Sequence, residues 1–209
     1  MGLRQARAVL AAALVAPVLA FAASGNDDAT WTFSANTMAY APPDGDNFLL
    51  VVATADRGPL HLEARYNYEA RDTGSVFAGW TLEGGETLTY TFTPMFGVVA
   101  GETEGIAPAF KASLAYGVVD FYVEAEYLYD TDVSEDSYTY AWSELGVSPA
   151  PWLRFGLVGQ RTRVYESSRD IQRGPFAQIV LGKATLGVYV FNPDDSANRL
   201  AIVSFAADF

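Results

Sequence analysis

In "PLHLEARYNYEAR" (Pro59 to Arg71) every second residue is apolar or aromatic and every residue between is polar. Leu60, Leu62, Ala64, Tyr66, Tyr68 and Ala70 share one parity; His61, Glu63, Arg65, Asn67, Glu69 and Arg71 share the other. A helix would gather its apolar residues at spacings of three and four, whereas a strand sends successive side chains to opposite faces. The segment therefore reads as a strand with one apolar face and one charged face. The same period recurs at Trp31–Phe33–Ala35, Leu88–Tyr90–Phe92, Phe121–Val123–Ala125–Tyr127–Tyr129, Tyr138–Tyr140–Trp142 and Leu153–Phe155–Leu157.

Turn-forming residues cut the chain into about twelve such segments, and their order is regular. Longer or acidic connections ("PPDGDN", "RDTGS", "GETEG", "DTDVSED", "ESSRD", "NPDDSAN") alternate with tight ones ("DRGP", "EGGE", "YG", "SPAP", "GK"). An up-and-down meander places the two sets at opposite ends of one sheet. Half of the residues are hydrophobic, yet the longest apolar run in this part of the chain, "FLLVVA" (Phe48 to Ala53), is only strand-sized. The apolar faces are either buried in a sandwich or turned toward lipid in a barrel. Tyr66, Tyr68, Tyr127, Tyr129, Tyr138, Tyr140 and Tyr165 lie toward the looser ends of their strands, and Trp31, Trp80, Tyr116 and Trp152 toward the tight ends. Two belts of amphipathic rings suit the two interfaces of a membrane.

The N-terminus agrees with an exported chain. Arg4 and Arg7 precede the apolar "AVLAAALVAPVLA", and "AFA" (Ala20 to Ala22) offers a cleavage site, so residues 1–22 read as a signal peptide and 23–209 as one barrel domain. The chain has no cysteine, which excludes disulfides and thiolate metal sites. All 25 acidic residues lie beyond residue 22, against 11 of the 13 Lys and Arg, which argues against nucleic-acid partners.

The final "RLAIVSFAADF" ends on Phe209, with Ala207, Phe205, Val203 and Ala201 at every second position before it. This resembles the C-terminal assembly signal of bacterial outer-membrane β-barrel proteins, here carried by Phe205 and Phe209. The resemblance implies a closed antiparallel up-and-down transmembrane barrel, inserted by the barrel-assembly machinery into the outer membrane of a Gram-negative cell. Its termini and tight turns would face the periplasm and its acidic loops the exterior. Twelve strands of about 9–11 residues fit the length. Ten would follow if Ser75–Glu83 or Ile171–Leu181 were not strands.

The polar parity then faces the lumen. Expected lining residues are His61, Glu63, Arg65, Asn67, Glu69, Arg71, Lys111, Asp120, Glu124, Glu126, Arg154 and Gln160. Such charges either pair and close the interior or line a narrow aqueous path, and their acidic excess would favour cations. His61 and Glu63 share a face, but neither a serine two residues away nor a G-x-S-x-G motif supplies a nucleophile, so no catalytic residue is assigned. In "DTDVSEDS", Asp130, Asp132 and Ser134 have calcium-loop spacing, but Glu135 stands where Gly is required and Ala141 where a bidentate Glu is required. No metal or cofactor is expected. If the alternation from Leu153 holds, Arg161 and Arg163 point outward near the external surface, suited to lipopolysaccharide phosphates; a slip at Gly156 or Gly159 would put them in the lumen instead. The function expected is a non-catalytic barrel, either a narrow channel or a structural surface component. A lipid-modifying enzyme and a soluble barrel for an apolar ligand are the alternatives.

Overall fold

The computed structural model describes residues 30–43, 45–164 and 170–209. The expected signal peptide and Tyr165 lie outside these residues. The strands are β1 (Thr32–Ala41), β2 (Phe48–Arg57), β3 (Leu60–Tyr66), β4 (Thr73–Trp80), β5 (Leu82–Gly84), β6 (Leu88–Gly101), β7 (Gly105–Tyr116), β8 (Val119–Asp130), β9 (Tyr138–Ala150), β10 (Leu153–Val164), β11 (Asp170–Leu181), β12 (Ala184–Phe191) and β13 (Leu200–Asp208). Each pairs antiparallel with its chain neighbours, except that β4 and β5 both pair with β6 and form one bent stave. β1 pairs with β13, with Thr37 opposite Phe205, so twelve staves close into a barrel. Ser75–Glu83 and Ile171–Leu181 both fall within staves.

Tight turns through Gly58, Gly117 and Gly182, all at positive φ, lie at one end. The start of β1 and the end of β13 join that end, where the Phe209 N–H donates to the Phe33 carbonyl at 2.9 Å. The longer loops lie at the other. The alternation is converted into an inside and an outside. Phe33, Val76, Phe96, Phe121, Leu145, Leu157 and Phe205 are exposed on the outer wall, while Glu63, Arg65, Glu69, Glu124 and Glu144 are buried within. This reverses the distribution of a water-soluble sandwich and is that of a transmembrane barrel. Trp31, Trp80, Tyr116 and Trp152 are exposed at the turn end, and Tyr66, Tyr127 and Tyr129 near the loop end.

Four prolines, Pro94, Pro108, Pro149 and Pro175, lie within strands and are exposed, and three of them border gaps in the ladders. Proline has no N–H to donate, so one side of its ladder must lapse. Pro94 of β6 keeps its pairing with Phe110 of β7, and the gap between β4 and β5 lies on its other side. Pro108 keeps Phe96, while β7–β8 pairing stops at Ile106 and resumes at Ala109. Pro175 keeps Leu157, while the β11–β12 ladder begins only at Phe176. Pro94→Ala is therefore expected to join β4 and β5, with the amide introduced at position 94 exchanging slowly in hydrogen–deuterium exchange. Stability should change little, because a hydrogen bond worth about 0.5–1.5 kcal/mol is offset by unfolded-chain entropy worth about 0.4–1 kcal/mol. Fast exchange at that position would assign the gap to another cause.

Two sequence expectations need correction. The strand beginning at Pro59 does not run to Arg71, because Asn67 turns the chain at φ 58° and β3 ends at Tyr66. Asn67 bonds the Thr73 and Leu49 carbonyls and accepts the Asp72 N–H. Tyr68 consequently turns inward. Tyr138, Tyr140 and Trp142 of β9 also face inward, fully buried, rather than toward lipid.

Candidate functional site: the lumen

The interior is layered along the barrel axis. At the turn end it carries small hydroxyls, with Ser34 bonded to Thr54 at 2.7 Å and Thr91 to Ser113 at 2.6 Å. A charged girdle occupies the middle. Toward the loops lies an apolar layer of Met38, Tyr40, Leu50, Phe191, Leu200 and Ile202, each at most 1% exposed.

One half of the girdle is built on β3. Its period of two aims His61, Glu63 and Arg65 inward together, and the opposite wall supplies Lys111 from β7 and Glu124 and Glu126 from β8. Glu63 is the junction: it pairs with Arg65, Lys111 and, at 3.2 Å, His61. Arg65 spans the lumen to Glu126 at 2.7 Å and reaches Glu69 at 3.3 Å. Its guanidinium lies between two rings, 3.9 Å from the centre of Tyr68 and 4.0 Å from that of Phe77. Phe77 occupies the space that Gly97, directly opposite on β6, leaves vacant; a Cβ there would meet the ring. Glu124 accepts the hydroxyls of Tyr68 at 2.8 Å and Tyr122 at 2.7 Å. Ser75 donates to Glu69 at 2.6 Å.

The other half centres on Arg154 of β10. It pairs with Asp120 and Glu144, each at 2.5 Å, and donates to Gln178 at 3.0 Å. Gly146 of β9 makes room, because a Cβ there would strike both Arg154 and Asp120. The Trp142 indole N–H donates to Glu144 at 3.0 Å, which ties the girdle to the aromatic layer. Trp142 lies 5.4 Å from Tyr189 and 5.2 Å from Phe191, ring centre to ring centre. Buried charge survives only when paired and hydrogen-bonded, and edge-to-face rings pack well, so both arrangements favour a closed interior.

Of the twelve lining residues expected from sequence, ten have their side chains within the barrel: His61, Glu63, Arg65, Glu69, Lys111, Asp120, Glu124, Glu126, Arg154 and Gln160. Asn67 and Arg71 do not line the wall. Asn67 holds the β3–β4 turn, and Arg71 is exposed, donates to the Asp46 carbonyl at 2.5 Å and lies over Phe48. Glu69 reaches the interior from that turn rather than from a strand. His61 has a carboxylate on each ring nitrogen, Asp56 at 2.6 Å and Glu63 at 3.2 Å; no serine hydroxyl bonds it among the described residues. Asp130 of the acidic loop accepts the N–H groups of Asp132 at 2.9 Å and Val133 at 2.7 Å, so its carboxylate locks a turn. Arg161 is exposed on the outer face, the side chain of Arg163 lies outside the described residues, and Phe205 and Phe209 are exposed at the turn end. Glu144, Tyr122, Trp142 and Gln178 were missed. Glu144 is in phase with Tyr138, Tyr140 and Trp142, and that shared parity was the available signal that these aromatics lie on the charged face.

No protein-family model matches the chain, and no curated protein matches it in sequence. Its fold is similar to that of the KdgM porin, with TM-score 0.65 and 10% identity over 84% of this chain and 99% of that one. The fold is that of a bacterial outer-membrane porin barrel. A second structure, the KdgM porin in complex with disordered oligogalacturonate, gives TM-score 0.64 at 10% identity, with the same coverage of both chains. Pseudomonas aeruginosa OccK5 (OpdH) gives 0.46 at 9% identity over 86% of this chain and 66% of that one. What the porin fold holds in its interior differs from one chain to the next, and here it holds the girdle.

Proposed function

We propose that the protein is a non-catalytic outer-membrane channel of small conductance that prefers cations, with its termini and tight turns in the periplasm. The reading rests on the composition of the girdle. Glu63, Glu69, Glu124, Glu126 and Glu144 are buried there with Asp120 at their edge, against Arg65, Lys111, Arg154 and His61. A ring with excess carboxylate inside a barrel attracts cations and repels anions. The likeness to the KdgM porin supports a channel architecture. The paired charges and the apolar layer above them keep the path closed in this conformation, so opening requires side chains to move.

A second reading is favoured by a different observation. Trp142, Tyr140, Tyr189 and Phe191 are all fully buried, which is the packing of a sealed core. On that reading the barrel is a structural component of the membrane surface. An enzymatic reading has no such support, since the partners of His61 are both carboxylates.

Planar-bilayer recording of the refolded protein separates the two. Brief cation-selective steps are expected, with selectivity falling at least several-fold in Glu124→Gln/Glu126→Gln. Absence of ionic steps from the wild type under all applied voltages would establish the sealed barrel instead.

A further inference from the structure

On the outer wall, among the described residues, two arginines stand together at the loop ends of β10 and β11. Arg161 of β10 lies opposite Ile171, and Arg173 of β11 opposite Gly159, so the two arginines are diagonal neighbours on the same outward face. Diagonal positions across a strand pair lie about 7–8 Å apart, within joint reach of one anionic group. Both are exposed, and among the described residues neither guanidinium makes an ion pair. The other described loop arginines are turned back onto backbone, Arg71 on the Asp46 carbonyl and Arg199 on the Pro193 carbonyl. The described loops at the same end carry Glu102, Glu104, Asp132, Glu135, Asp136, Asp194 and Asp195.

Beside the pair the wall is indented. The β11–β12 ladder lapses at Pro175, leaving a groove of about 280 Å³ lined by Leu157, Val158, Arg173, Gly174, Pro175, Pro193 and Asp194. Leu157 is 64% exposed and stands over the apolar band of Phe155 and Ile179. Asp194, exposed in the β12–β13 loop, lines the same groove as Arg173. Height fits as well. Arg161 lies eight residues along its strand from Leu153, and Arg173 eight from Leu181. At about 3.3 Å per residue and a tilt near 40°, that places both roughly 20 Å above the tryptophan belt, close to the upper edge of a ~25 Å apolar band.

We propose that this face is a seat for a phosphorylated lipid of the outer leaflet, with its phosphate bridged by Arg161 and Arg173 and one acyl chain in the groove beside Leu157 and Pro175. Planar guanidinium groups match phosphate oxygens, and a positive rim over an apolar groove suits an amphiphile better than a free ion. The site rests on the loop end facing the exterior, but not on conduction, because both arginines point away from the lumen.

The test uses the refolded barrel in detergent, with bisphosphorylated lipid A as probe and binding read by native mass spectrometry. Wild type is expected to retain the lipid, with retention at least tenfold weaker for Arg161→Gln/Arg173→Gln and for the same lipid stripped of its phosphates. Heat-modifiable migration establishes that the variant is folded, and its conductance should equal that of wild type. Equal retention by the folded variant would overturn the proposal. So would displacement of the lipid by inorganic phosphate at the same concentration, which would reduce the seat to an ion site.

Discussion

Replacing Arg65 by methionine is expected to lower the unfolding free energy of the refolded barrel by about 3–5 kcal/mol, read from urea transitions in detergent or vesicles. Methionine preserves much of the length and the contacts with Tyr68 and Phe77 but removes the cation that, among the described residues, touches Glu63, Glu69 and Glu126 together. Those three carboxylates would remain buried, with Lys111 and the His61 ring both on the Glu63 side. Removing one partner of a buried ion pair costs far more than the pair contributes, because the other charge is left desolvated. The companion variant Arg65→Met/Glu126→Gln should recover part of the loss. A loss below about 1 kcal/mol for the single variant would mean that water already enters the girdle and screens its charges.

Trp142→Ala is expected to have a comparable effect on stability and a larger one on conduction. The indole is fully buried between Tyr189 and Phe191 and donates to Glu144. Truncating a buried tryptophan typically costs about 3–5 kcal/mol, from lost contacts and from the cavity left behind. Here the cavity would open beside the girdle, because Trp142 lies opposite Glu124 across the β8–β9 pair and against Phe191 of the apolar layer. The variant should show longer and larger conductance steps than wild type in planar bilayers, with cation preference kept because the girdle acids remain. Unchanged conductance, together with the expected destabilisation, would show that the barrier to ions lies in the girdle rather than in the aromatic layer.

The architecture was legible because two periodicities agree. Period-two alternation marks strands, and the regular exchange of tight and long connections orders them up and down; only a closed sheet reconciles both with so little continuous apolar sequence. Alternation alone does not say which parity faces the lumen. In β3 the charges settle it; in β9 the aromatics of Tyr138, Tyr140 and Trp142 resembled an outer face, and only Glu144 marked them as interior. A wide lumen needs bulky filling, so large rings are not reserved for lipid. The end of β3 was missed for a local reason. "RYNYEARD" continues the alternation through Asn67, but asparagine adopts the left-handed conformation more readily than most residues, and Asn67 does so at φ 58° while bonding Asp72. The break between β4 and β5 was not legible within either strand, because its cause, Pro94, lies on β6. The cross-barrel partners of Arg65 and Arg154 come from strands far apart in sequence, and the register that aligns them is a property of the closed sheet.

The pairing of β1 with β13 bears on how such a chain reaches its membrane form. Thr37 and Phe205 are separated by nearly the whole described chain, yet their strands share a ladder from Ser34↔Asp208 to Ala41↔Ala201. Every other seam joins neighbours in sequence and can form locally. This one carries the largest loop-closure entropy and must come last, so until it forms the sheet keeps two unsatisfied edges that neither lipid nor a charged interior can shelter. Insertion is thereby linked to arrival of the last strand: a chain halted before Leu200 would hold most of its hydrogen bonds and still have no stable place in a bilayer.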